Sequence, residues 1–93
     1  MWLKTRSPWT NELRLVDLKK CSEIYIVPFV ENGEVKYCDI EAFMDDSEDP
    51  ELTVARVPSV KLANSIIEAI FEAIEEDNKT LDIAGFLEEV NKK

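Results

Sequence analysis

The sequence predicts a single α+β domain over residues 1–93: an antiparallel sheet of four or five strands, one long helix packed on a face, and a short C-terminal helix. Residues 1–57 show short apolar runs that alternate with polar residues, with turn signals about every ten residues. Residues 59–77 instead repeat apolar side chains at three- and four-residue steps. With 93 residues and 45% hydrophobic content, the chain holds enough apolar material for one core.

Two hairpins are predicted in the first half. The first pairs residues 2–6 with residues 12–16 around the turn-forming segment 7–11, and residues 17–20 connect it to the next strand. The second pairs residues 22–30 with residues 34–43, because Asn32-Gly33 suits the two positive φ values of a type I′ turn.

The Asn32-Gly33 turn also predicts a register for the second hairpin. It sets Val30 opposite Val35, Val27 opposite Cys38 and Tyr25 opposite Ile40, and it leaves Cys21 opposite position 44 as a free thiol, like Cys38. Both faces of this hairpin are then largely apolar. We therefore expect two elements of the chain, or a partner, to cover it, while Pro28 indicates an edge position or a bulge.

The second half predicts one strand and two helices. A strand over residues 52–57 precedes Ser59, the predicted N-cap of an amphipathic helix over residues 59–77. Asn78 is the expected left-handed residue after this helix, and a short helix follows over residues 82–90 with Asp82 as its N-cap. The predicted buried stripe of the long helix consists of Val60, Ala63, Ile66, Ile67, Ile70 and Ile74.

Composition argues against an enzyme. The chain has no histidine, which removes the commonest general base and the commonest zinc ligand, and a chain this small rarely forms a catalytic cleft. The alternation of Asp45, Ser47 and Asp49 resembles a calcium loop, but Pro50 stands where such a loop needs glycine. We therefore expect no catalytic residue, no cofactor and no metal site.

Two cysteines and a charged N-terminal segment predict a reduced, cytoplasmic protein, and no apolar run is long enough for a membrane helix. Lys and Arg total 11 against 20 Asp and Glu, a net charge of −9. This charge argues against direct contact with nucleic acid or an anionic membrane, and it favours a basic partner.

The negative charge is concentrated in residues 39–51, which hold seven acids and no base, and in the long helix. One interpretation is a solvated surface, which is what charge runs usually are. The other is a string of carboxylates that imitates a phosphate backbone and occupies the basic surface of a nucleic-acid-binding protein. Trp9 lies in the first predicted turn, and an exposed tryptophan there is a candidate anchor for a partner protein. The candidate partner-binding residues are Asp39, Glu41, Asp45, Asp46, Glu48, Asp49, Glu51, Glu68, Glu72, Glu75, Glu76 and Trp9.

Four segments carry a resemblance to a group of known proteins: Trp2-Leu3-Lys4-Thr5, residues 13–18, residues 22–26 and residues 52–56, which lead into the Glu-rich helix. Over residues 1–77 this order resembles small proteins of bacteriophages and mobile elements. The resemblance implies a phage-like setting, which includes anti-CRISPR-type inhibitors that imitate DNA. It assigns no individual residue.

These observations leave two functional hypotheses. The first is a non-enzymatic acidic protein-binding module, a phage-type inhibitor that occupies a basic nucleic-acid-binding surface of a host defence protein as a DNA mimic. The alternative is a structural or regulatory accessory domain that forms a homodimer through an apolar sheet face, with the acids serving solubility.

Overall fold

The computed structural model describes residues 1–45 and 48–90 and has an α+β fold. In chain order its elements are β1 (Trp2–Arg6), β2 (Leu13–Asp17), a 3₁₀ helix (Leu18–Lys20), β3 (Cys21–Glu31), β4 (Glu34–Met44), β5 (Glu51–Val57), α1 (Val60–Glu75), β6 (Thr80–Asp82) and α2 (Ala84–Val90). The predicted elements are all present, with boundaries shifted by one to two residues. The described part of the chain contains no helix that could cross a membrane.

The strands form two three-stranded sheets where the sequence predicted one sheet of four or five strands. Sheet A has the order β2-β1-β6 and sheet B the order β3-β4-β5. Strand β6, which the sequence analysis missed, runs parallel to β1 and sets Leu3 beside Leu81. Three residues are too few to show the alternation of a strand.

The two sheets meet at a β-bulge in β5. Ile40 pairs with Ala55 while Glu41 pairs with Thr53, so Val54 has no partner on β4. The Val54 carbonyl accepts hydrogen bonds from Thr5 Oγ1 at 2.9 Å and from Arg14 Nη2 at 3.0 Å, across the core from sheet A. The bulge therefore supplies the acceptors that attach sheet A to sheet B.

The predicted register of β3 and β4 is correct at the turn and wrong beyond it. Val30 pairs with Val35 as expected, but Phe29 pairs with Tyr37, so Lys36 is an extra residue that shifts the following pairs by one as far as Glu23 and Phe43. A second irregularity between Cys21 and Glu23 restores the predicted pair of Cys21 with Met44. Tyr25 consequently faces Glu41, and Ile40 faces Ile26. A one-residue shift moves side chains to the other face of the sheet. Cys38 and Ile40 therefore lie on the inner face with Ile26, and both are fully buried.

The hairpin of β3 and β4 extends past the rest of sheet B. Strand β5 ends at Val57, which pairs with Cys38, so residues 29–37 form a two-stranded ribbon without a third strand. We call residues 29–37 the arm. Its turn has the expected backbone, with φ of +53° at Asn32 and +77° at Gly33.

Helix α1 covers the inner face of sheet B. Ser59 caps it as predicted, because its hydroxyl accepts a hydrogen bond from the Leu62 amide. The buried stripe is Ala63, Ile66, Ile70 and Ala73. The predicted stripe was wrong at its two ends, since Val60 and Ile74 are 41% and 55% exposed.

The connections after α1 correct two smaller predictions. The left-handed residue is Asp77, with φ of +58°, and not Asn78. Asp82 Oδ1 accepts a hydrogen bond from the Ala84 amide, as a capping side chain does. However, α2 begins at Ala84, one residue later than a cap at Asp82 predicts.

Both thiols are free: Cys38 is buried, and Cys21 is half-buried opposite Met44, as the sequence predicted.

Candidate functional site

Four exposed carboxylates lie on one side of the C-terminal half of α1 and the residue that follows it. Glu68, Glu72, Glu75 and Glu76 are all exposed, and we call these four residues the acidic face. Among the residues that the structure describes, none of their carboxylates forms an ion pair. The last turn of α1 holds no basic residue. In residues 1–45 and 48–90 the acidic face is therefore a set of carboxylates without ion-pair partners.

The helix period produces this arrangement. The buried residues Ala63, Ile66, Ile70 and Ala73 occupy one side of α1 against sheet B, so residues out of phase with them face solvent. Phe71 also projects outward and is 60% exposed, three residues after Glu68 and four residues before Glu75. An exposed aromatic side chain thus lies at one edge of the acidic face.

Four further acids lie in or beside the loop between β4 and β5. Asp45, Glu48, Asp49 and Glu51 are exposed, whereas Asp46 lies outside the described residues. The Met44 amide donates to the Pro50 carbonyl at 2.7 Å and so closes this loop at its base. Residues 21–24 and Ile74 line one shallow cavity, which brings the C-terminal end of α1 to the end of sheet B where this loop lies.

Asp39 and Glu41 do not join the acidic face. They alternate along β4 with the buried residues Cys38, Ile40 and Ala42, so they lie on the outer face of sheet B, opposite α1. Both carboxylates have internal partners. Asp39 accepts two hydrogen bonds from Arg56, at 2.7 Å and 3.0 Å, and Glu41 accepts one from Thr53 at 2.8 Å. The predicted string of charge is therefore divided between two sides of the molecule.

A stack of planar groups occupies the same outer face. The Phe29 and Tyr37 rings are parallel within 6° with centroids 4.9 Å apart, and the Arg56 guanidinium lies 4.0 Å from the Tyr37 centroid. The hydrogen bond that Arg56 donates to Asp39 is the main reason that the pKa of Arg56 is raised above its usual value. We call Phe29, Tyr37 and Arg56 the aromatic stack. The sequence analysis missed it, because the one-residue shift at Lys36 is what brings Phe29 and Tyr37 together.

The opposite half of the outer face is acidic. Partial burial is the largest cause that raises the pKa of Tyr25, followed by the carboxylates of Glu51, Glu41 and Glu23. No basic side chain pairs with these three carboxylates in the described part of the chain. The outer face thus has one half with balanced charge, around the aromatic stack, and one half with unbalanced carboxylates.

Comparisons with protein families, curated proteins and solved structures gave no match. Within residues 1–45 and 48–90, no three Cys, Asp or Glu side chains come together as a metal site. Burial raises the pKa of both Cys21 and Cys38, which keeps the thiols protonated at neutral pH. What the geometry offers is surface for binding.

Trp9 lies apart from the acids. It is 67% exposed in the turn between β1 and β2, where the Ser7 hydroxyl accepts hydrogen bonds from the Trp9 and Thr10 amides. This turn follows Arg6, at the opposite end of β1 from Met1, whereas Met1 shares a cavity with Ile74 of α1. Trp9 therefore remains an exposed side chain at the far end of sheet A.

Proposed function

We propose that this protein is a non-enzymatic protein-binding module that occupies a basic, nucleic-acid-binding surface of its partner with the acidic face of α1. The observation that carries the proposal is that Glu68, Glu72, Glu75 and Glu76 are exposed and unpaired among the described residues. A surface of this kind attracts a basic partner over a distance and repels an acidic one.

The spacing of the carboxylates supports imitation of a phosphate backbone. Glu68 and Glu76 are separated by eight positions, which is about 12 Å along a helix. Four carboxylates over that length give about one charge per 4 Å, compared with one phosphate per roughly 3.4 Å along a DNA strand. The loop acids extend the negative surface at the C-terminal end of α1. Phe71 is exposed beside these carboxylates, so a partner that also offers an apolar contact gains more than one with only phosphate-binding groups.

The host defence setting rests on the resemblance to phage and mobile-element proteins, and it supplies the partner class. A DNA-binding or RNA-guided effector keeps a basic channel for its nucleic acid. A rigid acidic helix that enters such a channel excludes the nucleic acid by direct competition. The affinity then falls as salt rises, because the partner's cations are screened.

The test compares two variants with equal charge. The helix-neutral variant combines Glu68→Gln, Glu72→Gln, Glu75→Gln and Glu76→Gln. The matched control combines Glu12→Gln, Glu23→Gln, Glu31→Gln and Glu89→Gln at exposed positions without ion pairs in the described chain. Each set changes the net charge from −9 by four, to −5. Each immobilised protein is incubated with nuclease-treated bacterial lysate and eluted with duplex DNA, and the eluted proteins are identified by mass spectrometry.

The proposal expects wild type and the matched control to capture nucleic-acid-binding proteins that duplex DNA displaces, and the helix-neutral variant to lose them. Equal capture by the two variants contradicts a role for α1. Captured proteins that duplex DNA does not displace contradict the imitation of nucleic acid, even if the acidic face binds them.

A second candidate is the homodimeric accessory domain. It is favoured by the exposed outer face of sheet B, where Val27, Phe29 and Phe43 are between 39% and 45% exposed. This candidate does not exclude the first, because the acidic face lies on the other side of the molecule.

A further inference from the structure

We infer that the arm and the aromatic stack form the contact between two copies of this chain, packed face to face as a two-fold dimer. The inference rests on the homodimer candidate above, which it makes specific, and it is independent of the acidic face. It starts from the architecture of the arm, whose residues 29–37 lie beyond the end of β5. An isolated two-stranded hairpin is only marginally stable in water, so an arm of this kind gains stability from a surface that covers it.

The arm is apolar on both sides. On the outer side Phe29 is 43% exposed and continues into Val27 at the base of the arm, which is 45% exposed; on the inner side Val30 and Val35 pair and are 56% and 43% exposed. Contiguous exposed apolar surface of this extent marks an interaction site in a soluble protein. The sequence analysis expected this hairpin to be covered on both faces, and α1 covers only the inner face of its base.

The side chains of the aromatic stack are already ordered. Tyr37 is held between Phe29 and the Arg56 guanidinium, and Asp39 fixes Arg56 through two hydrogen bonds. Aromatic and arginine side chains are the types enriched at the centres of protein interfaces. Because these side chains are ordered before contact, association costs less side-chain entropy.

Charge selects a second copy as the occupant. The outer face around the arm has balanced pairs, with Asp39 bonded to Arg56 and Glu34 lying 3.5 Å from Lys36. A basic partner gains little here, and the acidic face of α1 attracts it instead. A copy that carries a charge of −9 is repelled by those acids, whereas at the arm it meets Glu31 and Glu34 together with Lys36, an excess of a single like charge.

Complementarity between copies follows from the two-fold axis. In a face-to-face pair with antiparallel arms, Lys36 of each copy is positioned to meet Glu31 or Glu34 of the other, while Phe29 packs against its equivalent. Association through the free edge of β3 is disfavoured, since Pro28 interrupts the row of backbone donors on that strand. The geometry points to contact between faces rather than addition of strands.

The experiment measures mass in solution by light scattering and sedimentation equilibrium over a series from micromolar to millimolar protein. Wild type is expected to move from the monomer mass of 10.7 kDa toward twice that value as concentration rises. Added salt is expected to strengthen the dimer, because it screens the repulsion between two acidic copies and leaves the apolar contact. This is the opposite of the salt effect expected for the acidic face, so the two proposals can fail separately.

Two variants locate the contact. Phe29→Glu sets two like charges against each other at the axis and is expected to weaken the dimer by at least about tenfold. Phe71→Glu, the same change at an exposed phenylalanine on α1, is expected to leave the dimer unchanged. Lys36→Glu removes the charge balance at an exposed position without removing apolar contacts, so it keeps the test decisive if Phe29→Glu fails to fold.

A monomer mass at every concentration and salt overturns the inference. A dimer that Phe29→Glu and Lys36→Glu leave intact, or that Phe71→Glu disrupts, also overturns it, because the contact then lies elsewhere. The helix-neutral variant is expected to keep the dimer and lose only the capture of basic proteins, so failure of the proposed function is distinguishable from failure of this contact.

Discussion

The Thr5 hydroxyl donates a 2.9 Å hydrogen bond to the backbone carbonyl of Val54, and both residues are fully buried. Thr5 lies on β1 of sheet A, and Val54 is the bulged residue of β5 in sheet B. A threonine in the core is costly unless its hydroxyl has a partner. This contact, together with the hydrogen bond from Arg14, therefore connects two sheets that share no strand pair.

Removal of this hydrogen bond is expected to lower stability without a change of fold. Thr5→Val keeps the volume and removes the donor, and the Val54 carbonyl keeps its bond from Arg14. We expect the free energy of unfolding to fall by about 1 kcal/mol, the usual net value of one buried hydrogen bond, as measured by urea denaturation. The same change at exposed Thr80 is the control and should have no measurable effect. Wild-type stability of Thr5→Val would show that the Thr5 hydrogen bond contributes nothing to the attachment of sheet A to sheet B.

Opposite effects are expected from alanine at the two glycines. Gly33 has φ of +77°, where alanine is strained, whereas Gly85 lies in α2 with no atom within 4 Å of an added Cβ. Gly33→Ala should destabilise the protein by about 1 kcal/mol, and Gly85→Ala should stabilise it by up to about 1 kcal/mol. Thermal melting of the two variants measures this. Effects of the same sign would contradict the turn or the helix assignment.

The buried thiol of Cys38 makes stability depend on pH in the alkaline range. Burial, and then the nearby Asp39 carboxylate, raise the pKa of Cys38 above its usual 9.0. The folded protein then keeps this proton at a pH where the unfolded chain has released it. The contribution of Cys38 to the free energy of unfolding is therefore fully present below pH 9.0, and it is lost as pH rises through the pKa of the folded protein.

Cys38→Ala tests this dependence in a pH series of denaturation curves under reducing conditions. The variant is expected to be less stable than wild type at neutral pH, because it leaves a cavity, but to lose less stability above pH 9.0. Cys21→Ser is the comparison, since burial also raises the pKa of Cys21. The double variant should show the smallest decline. A decline as steep as that of wild type would assign the effect to other groups.

The carboxylates of the acidic face are expected to lower the free energy of unfolding. Glu72 has Glu68 and Glu76 at neighbouring positions one helical turn away, and the last turn of α1 holds no base. Glu72→Lys should therefore raise the free energy of unfolding by about 0.5–1 kcal/mol at low salt, and by less at high salt. The same substitution at Glu12, in the turn before β2, is the control. An unchanged or lower stability of Glu72→Lys would remove the evidence that these acids are kept at a cost.

The sequence predicted what short-range signals encode. Asn32-Gly33 identified the turn, Ser59 identified the start of α1, and Cys21 was correctly separated from Cys38. What failed depended on tertiary contacts. The extra residue Lys36 has no local signature, yet it decides which side chains of β4 are buried.

The division into two sheets was also beyond local signals. The bulge at Val54 joins the sheets because its carbonyl accepts hydrogen bonds from Thr5 and Arg14, and both of these residues are distant from Val54 in the sequence. The exposure of Ile74 has a similar origin, since Ile74 reaches β3 only at a cavity that it lines together with residues 21–24, and it stays 55% exposed there. For the candidate site, alternation of acids with apolar residues on β4 could have separated Asp39 and Glu41 from α1, but the pairing of Asp39 with Arg56 required the register of β5.

Strand β1 lies between β2 and β6, with Trp2 beside Asp17 on one side and Thr80 on the other. The hairpin of β1 and β2 joins neighbours in the chain, but the β1–β6 ladder joins segments that almost the whole length of the chain separates. Contacts of such long sequence separation form slowly, because the loop must close before they contribute. Sheet A is therefore expected to be completed last in folding, after the hairpin of β3 and β4 and helix α1 have formed a nucleus. Until then β1 presents an open edge, and this interval is the time at which the protein is most exposed to misassembly.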